Sequence, residues 1–183
     1  MRLLMIADDF TGALDAGVQF AKKGFKTNVL VADGVCMSQY EDTEILVIDA
    51  ETRHREAKEA GAIVQQLAEA AVRYGVPYIF KKTDSALRGN IGAELSAVLS
   101  AGKEKVLTFI PAFPRMNRLT VGGRQLINGV PVNESVFGAD PFEPVRTADI
   151  AELICSQSNF PVKTMKSGEY LTQAKEKTIA VYD

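Results

Sequence analysis

The sequence has few of the features of a secreted, membrane-bound or nucleic-acid-binding protein. Its two cysteines, Cys36 and Cys155, are far apart and in no metal-ligand spacing, so two reduced thiols are expected. The N-terminal apolar run meets Asp8 too soon for a signal peptide or a membrane span. A formal net charge of -2 leaves no basic excess for nucleic acid. These absences predict a cytoplasmic protein that binds neither membrane nor nucleic acid.

The common nucleotide-binding signatures are also absent. The sequence contains neither GxxxxGK[ST] nor GxGxxG, so no cofactor-binding residue is assigned within it. No residues have the spacing of a metal site, and none is predicted. His54, the only histidine, is expected to be a solvated surface residue. A reaction that needs a nucleotide would therefore bind it outside these residues.

What is present is the alternating pattern of an α/β domain. With 183 residues and 46% hydrophobic content, the chain has the size of one ordinary domain. Near-continuous apolar runs are typical of strands buried on both faces. Strands are predicted at 2–7, 27–32, 44–49, 78–82, 105–111, 161–166 and 178–183. Helices are predicted at 11–23, 56–74 and 90–101, ending at Gly24 and Gly75 and, for the third, capped by Asn90. The order predicts a doubly wound, mostly parallel sheet.

Two segments depart from this alternation. Residues 112–142 contain no convincing helix, and 125–132 is typical of a β-hairpin on the Asn128-Gly129 turn. An apolar excursion of this length favours an ordered lid over a site. At the other end, 178–183 has the pattern of a buried strand that would need a covering crossover helix. The sequence is therefore expected to be truncated, with 1–183 forming an amino-terminal domain.

Polar residues follow several strands, where an open parallel sheet binds its ligand. Asp8 and Asp9 end the first strand and should repel each other, and Thr11-Gly12 leads into a helix whose amino end suits an anion. The segment 49–53 (DAETR) follows the third strand, 81–90 (KKTDSALRGN) the fourth, and 111–114 opens the lid. These loops are predicted to meet at one edge. A carboxylate pair near an anion-binding helix end indicates a hydroxylated substrate or a metal-bound phosphate.

Simpler structural roles exist for some of these residues. Thr11 could only cap its helix, and Arg53 could be a solvated surface arginine. The 82–90 loop is harder to explain in this way, because it combines cations, Asp84, a hydroxyl and a glycine. Arg88 in that loop has the geometry to grip a carboxylate or phosphate with two hydrogen bonds. As loop cations, Arg53 and Lys82 are expected to add little to folding stability.

The motifs resemble a known family. The segments IADDFTGALDAGVQFAKKG, DAETR, KKTDSALRGNIGAEL and IPAFPRMNRLTVGGRQLINGVPVNES are similar to the amino-terminal domain of four-carbon acid sugar kinases, and most similar to the D-threonate kinase branch. The resemblance runs from residue 1 to about 144 and weakly beyond. It implies a transferase of carbohydrate metabolism that phosphorylates a sugar acid such as threonate or erythronate with ATP. The family's ATP-binding domain is separate and is expected to be missing from this sequence, so the isolated chain is expected to be inactive.

The resemblance also implies site residues. It places substrate binding at Asp9, with Asp8 adjacent, at Arg53, and at the segment Lys82, Thr83, Asp84 and Ser85. Arg53 and Lys82 would neutralise the substrate carboxylate, and Arg88 is a further candidate. One of Asp9, Asp15 or Asp84 could be the base toward the attacking hydroxyl, and the sequence leaves all three open. Mg²⁺ would arrive with ATP. Which sugar acid and which hydroxyl react, and whether the chain forms a homodimer, also stay open.

Three alternatives belong to other functional classes. A phospho-acceptor receiver domain also has an acidic pair after the first strand and an aspartate after the third, here Asp49, but the cationic loop and the excursion do not suit it. A haloacid-type phosphatase needs two aspartates separated by one residue, whereas Asp8 and Asp9 are adjacent. A non-catalytic sugar-acid-binding module remains an alternative for the chain by itself.

Overall fold

The computed structural model describes residues 1–32 and 36–183, and the predicted α/β class is confirmed. The strands within these residues are Leu3–Ala7 (β1), Thr27–Val31 (β2), Ile45–Asp49 (β3), Tyr78–Lys82 (β4), Val106–Phe109 (β5), Arg118–Val121 (β6), Arg124–Ile127 (β7), Val130–Pro131 (β8), Val162–Met165 (β9) and Thr178–Tyr182 (β10). The α-helices are Phe10–Ala21 (α1), Ala57–Tyr74 (α2), Ile91–Ala101 (α3) and Ile150–Cys155 (α4). The seven strands predicted by apolar runs are all present, most of them a residue or two shorter.

The strands form three sheets. A parallel sheet has the order β2-β3-β1-β4, a second parallel sheet has the order β5-β10-β9, and β6-β7-β8 form an antiparallel sheet. The register pairs Ala7 with both Asp49 and Lys82, which aligns the carboxyl ends of β1, β3 and β4. Within the described residues β4 and β5 form no ladder, so the parallel strands divide into two groups.

Side chains of the central strand β1 alternate between two cores. Leu4 and Ile6 are buried in a cluster with α2, whereas Met5 and Ala7 are buried in a cluster with α1. Both faces of the sheet are therefore covered, which explains the near-continuous apolar sequence of the strand. A third cluster packs α3 and α4 against the second parallel sheet, and thereby joins the two parallel sheets through α3.

The excursion contains the predicted hairpin. Asn128 and Gly129 have φ values of 52° and 83° and connect β7 to β8, as an Asn-Gly hairpin turn requires. Gly122 and Gly123, with φ values of 57° and 75°, form the turn between β6 and β7, which was not predicted. The helix α4 was also missed, because six residues are too few for a helical period to stand out.

Two predicted helix ends differ from those observed. The first helix ends at Ala21 with Lys22 as its C-cap, ahead of Gly24. Asn90 does precede α3, but its side chain makes no capping hydrogen bond. Its Nδ2 instead donates to the carbonyl oxygens of Thr52 and Arg55 at 3.0 and 2.8 Å. The predicted capping role is therefore wrong. The side chain of Asn90 instead connects the start of α3 to the loop after β3 through hydrogen bonds.

Candidate functional site

The loops predicted to converge line one open cleft of about 1500 Å³. The segment after β1, Arg53, the loop after β4 and the start of the excursion all contribute to its wall. The predicted residues that line it are Asp9, Thr11, Gly12, Asp15, Arg53, Lys82, Thr83, Asp84, Ser85 and Arg88. Asp8 lies beneath the wall and is 2% exposed. The parallel topology thus gathers the predicted site at one edge, as expected.

Arg53 joins the acidic pair. Its Nε donates to Asp8 Oδ2 at 2.8 Å and its Nη1 to Asp9 Oδ2 at 2.7 Å. The backbone N–H groups of Thr52 and Arg53 also donate to the carbonyl oxygen of Asp8, which fixes the position of the arginine. Burial opposes the charged form of Arg53, but the hydrogen bond and charge of Asp8 outweigh it and raise the pKa of the guanidinium. The expected repulsion within the pair is therefore offset by a shared cation.

Asp9 is also the cap of the first helix. Its Oδ1 accepts a hydrogen bond from the Gly12 backbone N–H at 2.9 Å, so Asp9, and not Thr11, occupies the N-cap. A Cβ at Gly12 would lie 2.6 Å from Asp9 Oδ1 and 3.2 Å from Lys82 Nζ. Glycine is thus required where the helix end, the carboxylate and the lysine meet.

Lys82 brings an ammonium group close to this helix end. Its Nζ donates to the carbonyl oxygen of Thr83 at 2.7 Å. Within residues 1–32 and 36–183 it has no carboxylate within 4.0 Å, whereas the neighbouring Lys81 is buried against Glu94 at 2.9 Å. Of the two lysines, therefore, only Lys82 keeps its charge available to a ligand in the cleft.

Asp84 and Arg88 are bound to each other. Arg88 Nε and Nη2 donate to Asp84 Oδ2 and Oδ1 at 2.7 and 3.3 Å, and its Nη1 donates to Asp140 Oδ2 at 3.3 Å. Burial alone would raise the pKa of Asp84, but the hydrogen bond and charge of Arg88, together with the charge of Arg53, lower it. The guanidinium of Arg88 is thus already bound to two carboxylates, and it holds Asp84 in position.

Arg118, on the first strand of the excursion, was missed by the sequence analysis. Its Nη1 donates to Ser85 Oγ, and its guanidinium carbon lies 5.2 Å from the centroid of the Phe137 ring. Arg88 lies 5.3 Å from the same ring. No carboxylate lies within 4.0 Å of Arg118 in the described chain. No local motif marks this arginine, because its role depends on how the excursion folds back onto Ser85.

The remaining aspartates differ in their access to solvent. Asp15 is exposed on α1, and its carboxylate makes no hydrogen bond or ion pair within the residues described. Asp49 is fully buried, and burial raises the pKa of its carboxyl group. A phospho-acceptor aspartate must be reached by the phosphodonor, so the burial of Asp49 disfavours the receiver alternative.

The described residues have neither the ligand groups of a metal site nor a membrane-spanning helix. They contain no group of three or more His, Cys, Asp and Glu side chains placed to hold a metal ion. None of their helices has the length and hydropathy needed to cross a membrane. His54 is exposed, and its Nδ1 lies 3.2 Å from Glu143 Oε1.

Sequence comparison identifies relatives over almost the whole chain. The family model described as a sugar-binding N-terminal domain matches residues 3–182. A D-threonate kinase from Salmonella typhimurium is 40% identical over 163 residues, which are 88% of this chain and 38% of that protein. A D-erythronate kinase from Heliobacterium modesticaldum is 32% identical over 162 residues, 87% of this chain and 37% of that protein. The chain thus spans less than two fifths of these curated relatives.

Solved structures share the fold. A domain of unknown function from Bordetella bronchiseptica, crystallised with bound citrate as a domain-swapped dimer, is 28% identical with a TM-score of 0.82. It covers 99% of this chain, which covers 47% of it. A putative tRNA synthase from Salmonella typhimurium has the same TM-score at 21% identity, covering 98% of this chain and 46% of its own, and supports the fold alone. The chain belongs to the family of sugar-binding N-terminal domains.

Proposed function

We propose that this chain is the substrate-binding domain of an ATP-dependent kinase that phosphorylates a hydroxyl of a four-carbon sugar acid of the threonate or erythronate type. The observation that carries the proposal is the pairing of cations without carboxylate partners in the described chain, Lys82 and Arg118, with fixed carboxylates in one cleft. Such an arrangement complements a small molecule that has a carboxylate at one end and hydroxyls along its length. The kinase names of the relatives support the same class.

The carboxylate of the acid is bound by Lys82 and Arg118. A guanidinium can grip a carboxylate through two hydrogen bonds, and an ammonium supplies a compact charge. Arg53 adds to this set through Nη2, which makes no hydrogen bond within the described part of the chain, while its other nitrogens hold Asp8 and Asp9. Arg88, which the sequence suggested as a further cation for the acid, instead orients Asp84.

The hydroxyls of the acid are bound by acceptors that lie beside these cations in the cleft. Asp9, Asp84, Thr83 and Ser85 line this part of the wall. Among the three base candidates, only Asp15 has a carboxylate without a hydrogen bond or ion pair within the described residues, and we assign proton acceptance to it. Phosphoryl transfer depends mainly on positioning and charge stabilisation, so the rigid Asp9–Arg53 pair contributes by orienting the acid.

ATP with Mg²⁺ supplies the phosphoryl group in this proposal. The described residues contain no group of three or more His, Cys, Asp and Glu side chains placed to hold a metal ion, and the sequence has no nucleotide signature. The binding of ATP and of Mg²⁺ is therefore assigned to the additional domain that accounts for the greater length of the relatives. The isolated chain is expected to bind the acid and to leave ATP unhydrolysed.

The test compares D-threonate with the uncharged tetritol threitol by isothermal titration calorimetry. Wild-type chain should bind threonate and not threitol, and Arg118→Gln and Lys82→Gln should each weaken binding at least 10-fold, which is about 1.4 kcal/mol. Arg146→Gln, at an exposed arginine outside the cleft, is the matched control. Equal binding of acid and tetritol would refute carboxylate recognition. Phosphorylation of threonate by this chain alone would refute the division of labour between domains.

A further inference from the structure

The cleft continues below the site as a groove between two strand edges. All five residues of β4 line one wall, and the four residues of β5 line the other. In the described residues β4 pairs only with β1, and β5 pairs only with β10. Each strand therefore presents to the same groove an edge whose backbone N–H and C=O groups have no strand partner among the described residues. Exposed edges of this kind are templates for another strand.

The floor of the groove is an apolar helix face. Leu95, Val98 and Leu99 of α3 line it, and α3 connects β4 to β5. Apolar side chains are also exposed along the groove, with Tyr78 at 69% and Phe80 at 47% on β4. A parallel strand covered by a helix needs this combination of free backbone groups at its sides and apolar side chains beneath.

We infer that the groove is the seat of one additional β-strand, supplied by polypeptide that the longer relatives carry beyond the matched region. Its insertion would join the two parallel sheets into one of order β2-β3-β1-β4-X-β5-β10-β9, in which X is the additional strand. Adjacent strands are about 4.8 Å apart, so two strands on either side of a third are about 9.6 Å apart. Its side chains toward α3 would be apolar, and its backbone would satisfy both edges.

The length of the relatives identifies the occupant. This chain spans 38% and 37% of the two curated relatives described above, so most of each relative lies outside the matched region. In this respect the inference rests on the proposed function, which also assigns that additional length to a second domain. A strand in the same polypeptide has a high effective concentration at the groove, whereas a separate peptide would lose freedom on binding.

The strand would also connect the second domain to the site. Lys82 is the last residue of β4 and Ser85 lies in the loop that follows it, and the segment that opens the excursion follows β5. A strand between β4 and β5 would fix the distance between these two parts of the cleft wall. The inference therefore predicts that completing the sheet tightens the acid site.

The experiment is hydrogen exchange measured by mass spectrometry on two proteins. One is this chain, and the other is this chain joined to the part of the Salmonella typhimurium D-threonate kinase that follows its matched region. Peptides covering β4 and β5 should exchange rapidly in the chain alone and at least 10-fold more slowly in the fusion. Peptides of β1 and β3, which are already paired on both sides, should be protected in both proteins.

A matched pair of substitutions tests the seat itself. In the fusion, Phe80→Asp should restore rapid exchange at β4 and β5, whereas Phe142→Asp, at an 81% exposed phenylalanine outside the groove, should not. Unchanged exchange on fusion would overturn the inference, as would protection in the chain alone that rises with concentration, because a second copy would then be the occupant. Protected edges in a fusion that lacks kinase activity would refute the proposed function and leave the strand in place.

Discussion

Arg53 and Asp8 lie 45 residues apart in sequence and form a buried hydrogen-bonded ion pair, with Nε 2.8 Å from Oδ2 and side chains 10% and 2% exposed. Asp9 shares the same guanidinium. The sequence predicted that Arg53 is a loop cation that adds little to stability. The structure shows instead that Arg53 is buried and holds the two carboxylates of the site. Removing one partner of a buried pair leaves an uncompensated charge, which is costly.

Arg53→Ala should therefore destabilise the domain, by about 3–5 kcal/mol, because Asp8 and Asp9 would lose their shared cation. Urea denaturation followed by circular dichroism measures the change. Arg73→Ala is the control, since Arg73 is exposed and its ion pair with Glu69 is exposed as well, and it should change stability by less than about 0.5 kcal/mol. If the two variants unfold at the same urea concentration, the buried pair does not stabilise the fold.

Gly12→Ala should impair both folding and binding. The new Cβ would contact Asp9 Oδ1 at 2.6 Å, so the cap must shift, at a cost of about 1–3 kcal/mol. Threonate affinity should fall with it, because Asp9 and Lys82 would move. Gly61→Ala in α2 is the control, since its Cβ would lie 3.5 Å or more from any neighbour and alanine favours helix. A Gly12→Ala variant as stable as wild type would contradict the required close approach.

Phe137→Leu should weaken threonate binding without unfolding the chain. The ring lies beside the guanidinium groups of Arg88 and Arg118, and losing one such contact costs about 0.5–1 kcal/mol. Because both arginines lose the ring, the combined cost is about 1–2 kcal/mol, and the expected loss in affinity by calorimetry is about 5- to 30-fold. Phe142→Leu, at an exposed phenylalanine, should bind as wild type does. Equal affinities for the two variants would show that the ring does not orient Arg118.

The Asp84–Arg88 pair should make stability depend on pH in the acid range. The folded-state pKa of Asp84 is lowered, so the pair contributes fully above the ordinary carboxyl value of about 3.9 and is lost as the pH falls through the folded-state pKa. Melting temperatures between about pH 7 and pH 2 should therefore fall less steeply for Asp84→Asn than for wild type. Asp42→Asn, at an exposed aspartate, should keep the wild-type slope.

Asp49→Asn should stabilise the domain near neutral pH. Burial raises the pKa of Asp49, so its ionised form disfavours folding above that pKa, and the penalty disappears below the ordinary value of about 3.9. Asparagine keeps an oxygen to accept from the Glu51 N–H, now 3.1 Å from Asp49 Oδ1. A gain of about 1 kcal/mol would raise the melting temperature by about 2–4 °C. A lower melting temperature at neutral pH would contradict this account.

The sequence by itself determined the elements whose signals are local. Apolar runs located the strands, a 3.6-residue period located α2, and the Asn128-Gly129 pair located a hairpin turn. The rule that parallel strands open at one edge was enough to gather Asp9, Arg53 and Lys82 at one cleft. These inferences succeed because each depends on neighbouring residues or on a general property of parallel sheets.

Only the tertiary structure decided what each charged group contacts. Arg53 faces Asp8 because β1 and β3 pair in one register, and Arg118 reaches Ser85 because the excursion folds back over the loop after β4. The sequence also does not indicate that β4 and β5 lie in separate sheets, because each is an apolar run of the kind expected for a strand paired on both sides. Such contacts join residues tens of positions apart, and their energies depend on burial and geometry, which no local pattern encodes.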